Sequence, residues 1–380
     1  MKIEQRQYKL SSSSWHNNDI NEELKEKYQL VIWFWHPNLI KDSKIYKSLK
    51  EFYPSAEIVL VSTAGEILNT EVSDDTVCVT AVYFEKTNIK TIKKEINDME
   101  DSYKIWEEIS KEILGDKLKH LLIFSDWLNV NGSELVKSIR KNTPNSLTIS
   151  WWLAWDWVDF KKTNVYLNNP DEKNNIVVVW LYWDSLKVSS GSKWWWDEFW
   201  IKRKVTKSKN NIVYELDNEP ILDLYKNYLW KMAKDLPSSW LLFPLSINEP
   251  GSKTSVVRTL LAIDEKEKSI TFAWDIPEGY TAQLMKANFE RIIDWAWDAA
   301  KNNIDKVKNA ELAIIISCVW RKLILKQRIE EEIESVKEIV WEKCKIAWFY
   351  SYWEIGPSNS ELLDCQLHNQ SITVTLFNEI

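Results

Sequence analysis

Leu30-Val31-Ile32-Trp33-Phe34 opens the stretch that decides the fold. Residues 43–52 follow, with Ile45, Leu49 and Phe52 at helical spacing, and then Ala56-Glu57-Ile58-Val59-Leu60-Val61-Ser62. Two unbroken apolar runs about an amphipathic helix predict a βαβ unit, because such runs suit strands covered on both faces. Thr63-Ala64-Gly65-Glu66-Ile67 turns the chain, and residues 76–84 alternate as a further strand. A second series predicts helix 101–114, strand 121–125, loop 126–132, helix 133–141 and strand 146–150. Strands alternating with helices imply an α/β fold with a largely parallel core.

Residues 163–206 change character, with short strands at 164–167, 176–182 and 186–189 that read as antiparallel. Beyond a polar stretch at 207–218, Pro220 sits in the first turn of a helix at 219–229, where its missing N–H costs nothing. Strands follow at 241–247, 255–264 and 269–274, the last two as a hairpin through Glu265-Lys266-Glu267-Lys268. A helix at 281–302, a strand at 312–317, a helix at 323–340 and strands at 345–350 and 371–377 complete the reading. The expectation is two α/β halves with mixed sheets: a polar segment 1–27, one half over 28–218 and another over 219–380. Strand, helix, strand, Gly65-Glu66-Ile67, strand near the start is matched by strand, helix, strand, Trp353-Glu354-Ile355, strand at the end. This points to an internal βαβ repeat of the two ends.

In that match a tryptophan stands opposite a glycine, and the composition repeats the exchange. The 380 residues hold 24 Trp and 7 Gly, where average usage would give roughly 27 Gly. Tryptophans cluster at 33–35, 151–157 and 194–196, which read as turns once glycine is put back. Glycine serves such points because it reaches positive φ without a Cβ clash. Tryptophan is therefore read as standing at glycine positions, and as a map of turns rather than a stacking surface.

A net charge of −7 with scattered Lys and Arg lacks the basic patch of a nucleic-acid binder. No run of 18 apolar residues is present to span a membrane, and the polar start Met1-Lys2-Ile3-Glu4 has no signal-peptide core. The expected location is the cytoplasm. Cys78, Cys318, Cys344 and Cys365 are too far apart for a zinc motif and too few for a disulfide framework. No phosphate loop, paired metal histidines or serine nucleophile elbow is present, so the chain reads as a non-enzyme.

Ligands of open α/β sheets bind beyond the carboxyl ends of the strands, which directs attention to two loops. One holds Ser125, Asp126 and Asn129; the other holds Cys318 and Arg321, whose charge could lower a neighbouring thiol pKa. A carboxylate facing a guanidinium would suit a zwitterion such as an amino acid. Glu66 and Glu354, each at a strand-ending turn, could accept bonds from a ligand amine or from loop N–H groups. His36 and His368, at strand ends, are the candidates for an axial haem ligand. Cys318 as an enzymatic nucleophile is a third reading.

With Trp read as Gly, the motifs resemble, in order, those of the FIST family of sensory proteins. Phe124-Ser125-Asp126-Trp127 with Val130-Asn131-Gly132 is similar to that family's strand and glycine loop. Trp151-Trp152-Leu153-Ala154-Trp155-Asp156 resembles its Gly-Gly-Leu-Ala-Gly-Asp. Trp194–Trp196, Val205-Thr206, Tyr214-Glu215-Leu216-Asp217, Phe243-Pro244-Leu245 and Asp275-Ile276-Pro277-Glu278-Gly279 continue the series. Ser317-Cys318-Val319-Trp320-Arg321, Phe349-Tyr350-Ser351-Tyr352-Trp353-Glu354-Ile355 and His368-Asn369 end it.

The resemblance implies a small-ligand-sensing protein of bacterial signal transduction, with amino acids among the ligands. It also implies the alternative of a haem-based nitric-oxide or redox sensor. Its output would pass to a separate protein such as a kinase, cyclase or chemoreceptor.

Overall fold

The computed structural model describes residues 1–18, 21–36, 39, 43–113, 117–126, 129–144, 147–154, 163–170, 175–194, 196–229, 242–252, 255–288, 291–340, 342–351, 353–357, 365–369 and 371–380. It describes the side chains of all of these except 17, 18, 43, 113, 133, 193, 194, 287, 353–357 and 365–369. The chain forms two compact units. One comprises Met1–Lys193, Ile293–Gln366 and Ser371–Ile380, and the other Trp194–Ile292 with Leu367–Gln370. The fold is mixed α/β, as the run of strands and helices predicts.

The first unit holds three six-stranded sheets, and each repeats one plan. A parallel pair joined by helix lies at the centre: Leu30–Trp35 with Glu57–Ser62, Leu118–Ser125 with Thr148–Leu153, and Leu312–Cys318 with Lys345–Ser351. On one side an antiparallel strand returns along the first of the pair: Thr76–Tyr83, Asn175–Tyr182 and Ser371–Glu379 respectively. Beyond each of these comes a strand that precedes the pair in the chain: Lys2–Lys9, Asn88–Glu95 and Leu186–Trp194. Among the described residues this unit therefore carries three copies of the βαβ plan, where the sequence matched only the first and last as a repeat.

The other side of each pair is filled by an arm from a different copy. The hairpin Glu66–Leu68 and Glu71–Ser73, which follows the first pair, joins the third sheet against Lys345–Ser351. Val165–Leu167, which follows the second pair, joins the first sheet against Glu57–Ser62. Trp353–Pro357 and Cys365–Asn369, which follow the third, join the second sheet beside Thr148–Leu153. The exchange is cyclic, and every sheet is completed by a neighbour.

All three sheets contribute to one apolar cluster. Phe34, Phe124 and Ile316 on the first strands meet Val61, Trp152 and Phe349 on the second, and all six are buried there. Phe34 stacks on Phe349 at 4.3 Å between ring centroids, and Trp152 lies 4.6 Å from Phe124.

Two stretches depart from expectation. Residues 1–27, read as a loose polar entry, hold the strand Lys2–Lys9, paired with Thr76–Tyr83 along its whole length. Several of its polar side chains are buried and hydrogen-bonded. Glu4 accepts from Arg6 Nε (2.6 Å), Tyr53 Oη (2.7 Å) and Tyr28 Oη (3.1 Å), and Gln5 Nε2 donates to Ile346 O (2.8 Å). Residues 281–302, read as one helix, are a strand, Thr281–Ala287, and then a helix, Arg291–Ile304. Pairing with Leu245–Asn248 on one side and with Arg203–Lys209 on the other overrides the helical spacing of Leu284 and Ala287. The strand belongs to the second unit's own antiparallel sheet, whose core includes Val205, Leu216, Leu224, Phe272 and Leu284.

The tryptophans also sit elsewhere than expected. Trp33 and Trp35 lie within Leu30–Trp35, and Trp151 and Trp152 within Thr148–Leu153. Among the described residues no tryptophan has a positive φ. That region is taken by Gly65, Gly251 and Gly279 and by residues such as Asn69, Asn168 and Asn210.

Candidate functional site

The three parallel pairs end at a common level, with Trp35 opposite Ser62, Ser125 opposite Leu153 and Cys318 opposite Ser351. Because each arm leaves for the next sheet at this point, hydrogen bonds link the ends into a closed circuit. Ser62 N donates to Asn164 O and Asn164 N donates to Ser62 Oγ, each at 3.0 Å. Thr163 Oγ1, one residue before, donates to Asp126 Oδ1 at 3.1 Å. Ala154 N donates to Ser125 O at 2.8 Å, and Ser351 Oγ to Leu153 O at 3.0 Å. Ala64 N donates to Tyr350 O at 3.0 Å and Tyr350 N to Gly65 O at 3.1 Å, which returns to the first copy.

The circuit brings together several residues that the sequence singled out. Ser125 and Asp126 are fully buried. Ser125 Oγ accepts from Trp151 Nε1 at 2.8 Å. The Asp126 carboxylate accepts from Asn129 N (3.1 Å), Asn129 Nδ2 (2.7 Å) and Thr163. Cys318 is buried at the start of the helix Val319–Leu325. Arg321, also buried, pairs through Nε with Glu332 on the next helix, Ile329–Ile339. Burial pushes the Glu332 carboxyl up, while Arg321 and the Ser317 hydroxyl pull it down. Asp126 and Arg321 thus each have a partner within their own copy. Glu354 pairs in register with Trp152, and its side chain lies outside the described residues. His36 Nδ1 stands 3.7 Å from Asp75 Oδ1. His368 lies in the strand Cys365–Asn369, its side chain also outside the described residues. Among the described residues no three of His, Cys, Asp and Glu gather as a metal site.

Two more residues lie at this junction: Glu66, read from the sequence alongside Glu354, and Lys322, which the sequence reading missed. Glu66, fully buried at the start of the exchanged hairpin, accepts from Thr63 Oγ1 (2.6 Å) and Thr76 Oγ1 (3.0 Å). Burial pushes its carboxyl up to about 8, against the pull of the two threonines and Lys322. Lys322 reaches from the third copy, donates to Ala64 O at 3.3 Å and pairs closely with Asp74. Gly65, at φ +135°, lets it approach: a Cβ there would run into Lys322 Nζ. Lys322 follows Arg321 directly, but its partners lie about 250 residues away, so sequence spacing holds no sign of them. The arrangement gathers hydroxyls, carbonyl oxygens, the Glu66 carboxyl and the Arg321 and Lys322 cations around a junction of three strand ends.

Residues 29–219 match the FIST N domain and residues 222–357 the FIST C domain. The chain belongs to the FIST family, and this membership supports a sensory role in signal transduction. No curated protein matches the chain.

Proposed function

We propose that the protein is a non-enzymatic sensor that binds a small polar molecule, such as an amino acid, at the junction of the three strand ends. Ser125, Asp126, Asn129, Cys318, Arg321 and Glu354 are the candidate binding residues, with Glu66 and Lys322 beside them. The closed circuit carries this reading, since a group held at one strand end perturbs bonds to the other two copies. A ligand that favours one arrangement of the circuit shifts the population toward it. The signal then passes to a separate protein, such as a kinase, cyclase or chemoreceptor, in the cytoplasm.

Thermal melts of the purified protein with each common amino acid test the reading. At least one should raise Tm with a concentration dependence that follows mass action. Asn129→Ala should weaken that ligand at least about tenfold with the fold intact, since one lost charge-assisted bond is worth on that order. Unchanged melts with every amino acid, or an Asn129→Ala affinity equal to the parent's, would overturn it.

A further inference from the structure

We infer that the chain made in its own cell carries glycine at positions 33, 35, 152, 180 and 348, the tryptophan codon there being decoded as glycine. Trp33, Trp35, Trp152, Trp180 and Trp348 lie in strands and are essentially unexposed. Their indole Nε1 atoms find no acceptor among the described residues. A buried tryptophan that belongs to its core ordinarily gives that N–H a partner, as Trp151 does with Ser125 and Trp15 with Ser48 at 2.9 Å.

The excess is specific to one residue type. Phe at 11 and Tyr at 14 are unremarkable beside 24 Trp, and Gly at 7 is the matching deficit. Selection for a more aromatic core would have raised Phe and Tyr as well. An exchange confined to one pair of residues, scattered through both units, points to the reading of a codon rather than to choices made site by site. The FIST N and FIST C matches persist across these positions.

Glycine at 152 has a consequence for the site. Trp152 stands between Phe124 and Phe349, one residue below the Ser125, Leu153 and Ser351 level of the circuit. Without the indole, an aromatic-walled chamber opens beneath the polar junction. It would take the flat apolar body of a ligand whose polar end meets the circuit. This last step rests on the proposed sensor function; the assignment of glycine does not.

Peptide mass spectrometry of the protein isolated from the cells that carry its gene tests the assignment. Glycine is expected at all five positions, and tryptophan at them would overturn the inference. A recombinant chain with Trp33→Gly, Trp35→Gly, Trp152→Gly, Trp180→Gly and Trp348→Gly gives a second readout. It should melt more sharply and at higher temperature than the 24-Trp chain; a lower and broader melt would count against glycine. Adding indole to that variant reads the chamber separately: a concentration-dependent rise in Tm is expected, and its absence would overturn the chamber alone.

Discussion

Glu66 shows how a single buried group sets a pH response. Its carboxyl is displaced from an ordinary 4.5 to about 8 by loss of water, so the folded state holds a proton that the unfolded chain releases. Stability is therefore highest below about pH 4.5 as far as this group is concerned, and it falls as pH rises through about 8. Glu66→Gln, neutral throughout, should flatten that slope and be the more stable form above pH 8. Urea midpoints measured from pH 5 to pH 9 check this, and parallel curves for the two proteins would refute it. The buried indoles make a prediction of sign. Deleting an aromatic side chain that a core is built around costs about 3–5 kcal/mol; an indole in a glycine's space instead adds overpacking strain of about 1–3 kcal/mol and an unpaired N–H of about 1–3 kcal/mol. If Trp348 stands in a glycine's place, Trp348→Gly will stabilise the chain in a denaturant melt. The excess of tryptophan could be counted in the sequence, but its unmatched N–H groups emerged only with the packing.

Among the elements, Lys2–Lys9 shows the limit of pattern reading. Ile3 and Tyr8 are separated by Glu, Gln, Arg and Gln, and nothing local marks a strand buried on its polar residues. Its partner, Thr76–Tyr83, lies some seventy residues on, and only pairing with it hides the chain. Glu4→Ala should destabilise the protein by about 3–5 kcal/mol, because Arg6 would keep its buried charge without its carboxylate. Glu4→Ala combined with Arg6→Met should recover much of the loss, a non-additivity that urea melts of the two singles and the double resolve. The parallel pairs, by contrast, were legible almost to their ends, since Leu30–Trp35 and Leu312–Cys318 are continuous apolar runs flanked by amphipathic helices. The strand Thr281–Ala287 was not, because the three-residue spacing of Leu284 and Ala287 fits a helix, and only long-range pairing makes the segment a strand. At the candidate site the strand-end loops were legible, whereas the bond from Thr163 to Asp126 and the reach of Lys322 depend on which arm enters which sheet.

For the whole molecule, the cyclic exchange makes the sheets interdependent. The boundary near residue 220 between the two matched stretches separates sequence, but the first spatial unit draws on both sides of it. Fragments 1–219 and 220–380, produced separately, should show no cooperative melt. Co-expressed, they should copurify on size exclusion and regain a single transition, since Glu66–Leu68 and Trp353–Pro357 each complete a sheet centred in the other fragment. Folded, stable separate fragments would contradict this. A ring of borrowed strands also constrains how such a protein can grow. Each copy brings one sheet and lends one arm, so removing an arm alone opens the sheet of another copy. New material can enter within a copy, and Trp194–Ile292 is such a case: it is inserted between the leading strand Leu186–Trp194 and the central strand Leu312–Cys318 of the third. The architecture admits elaboration by insertion between strands without breaking the ring of borrowed arms.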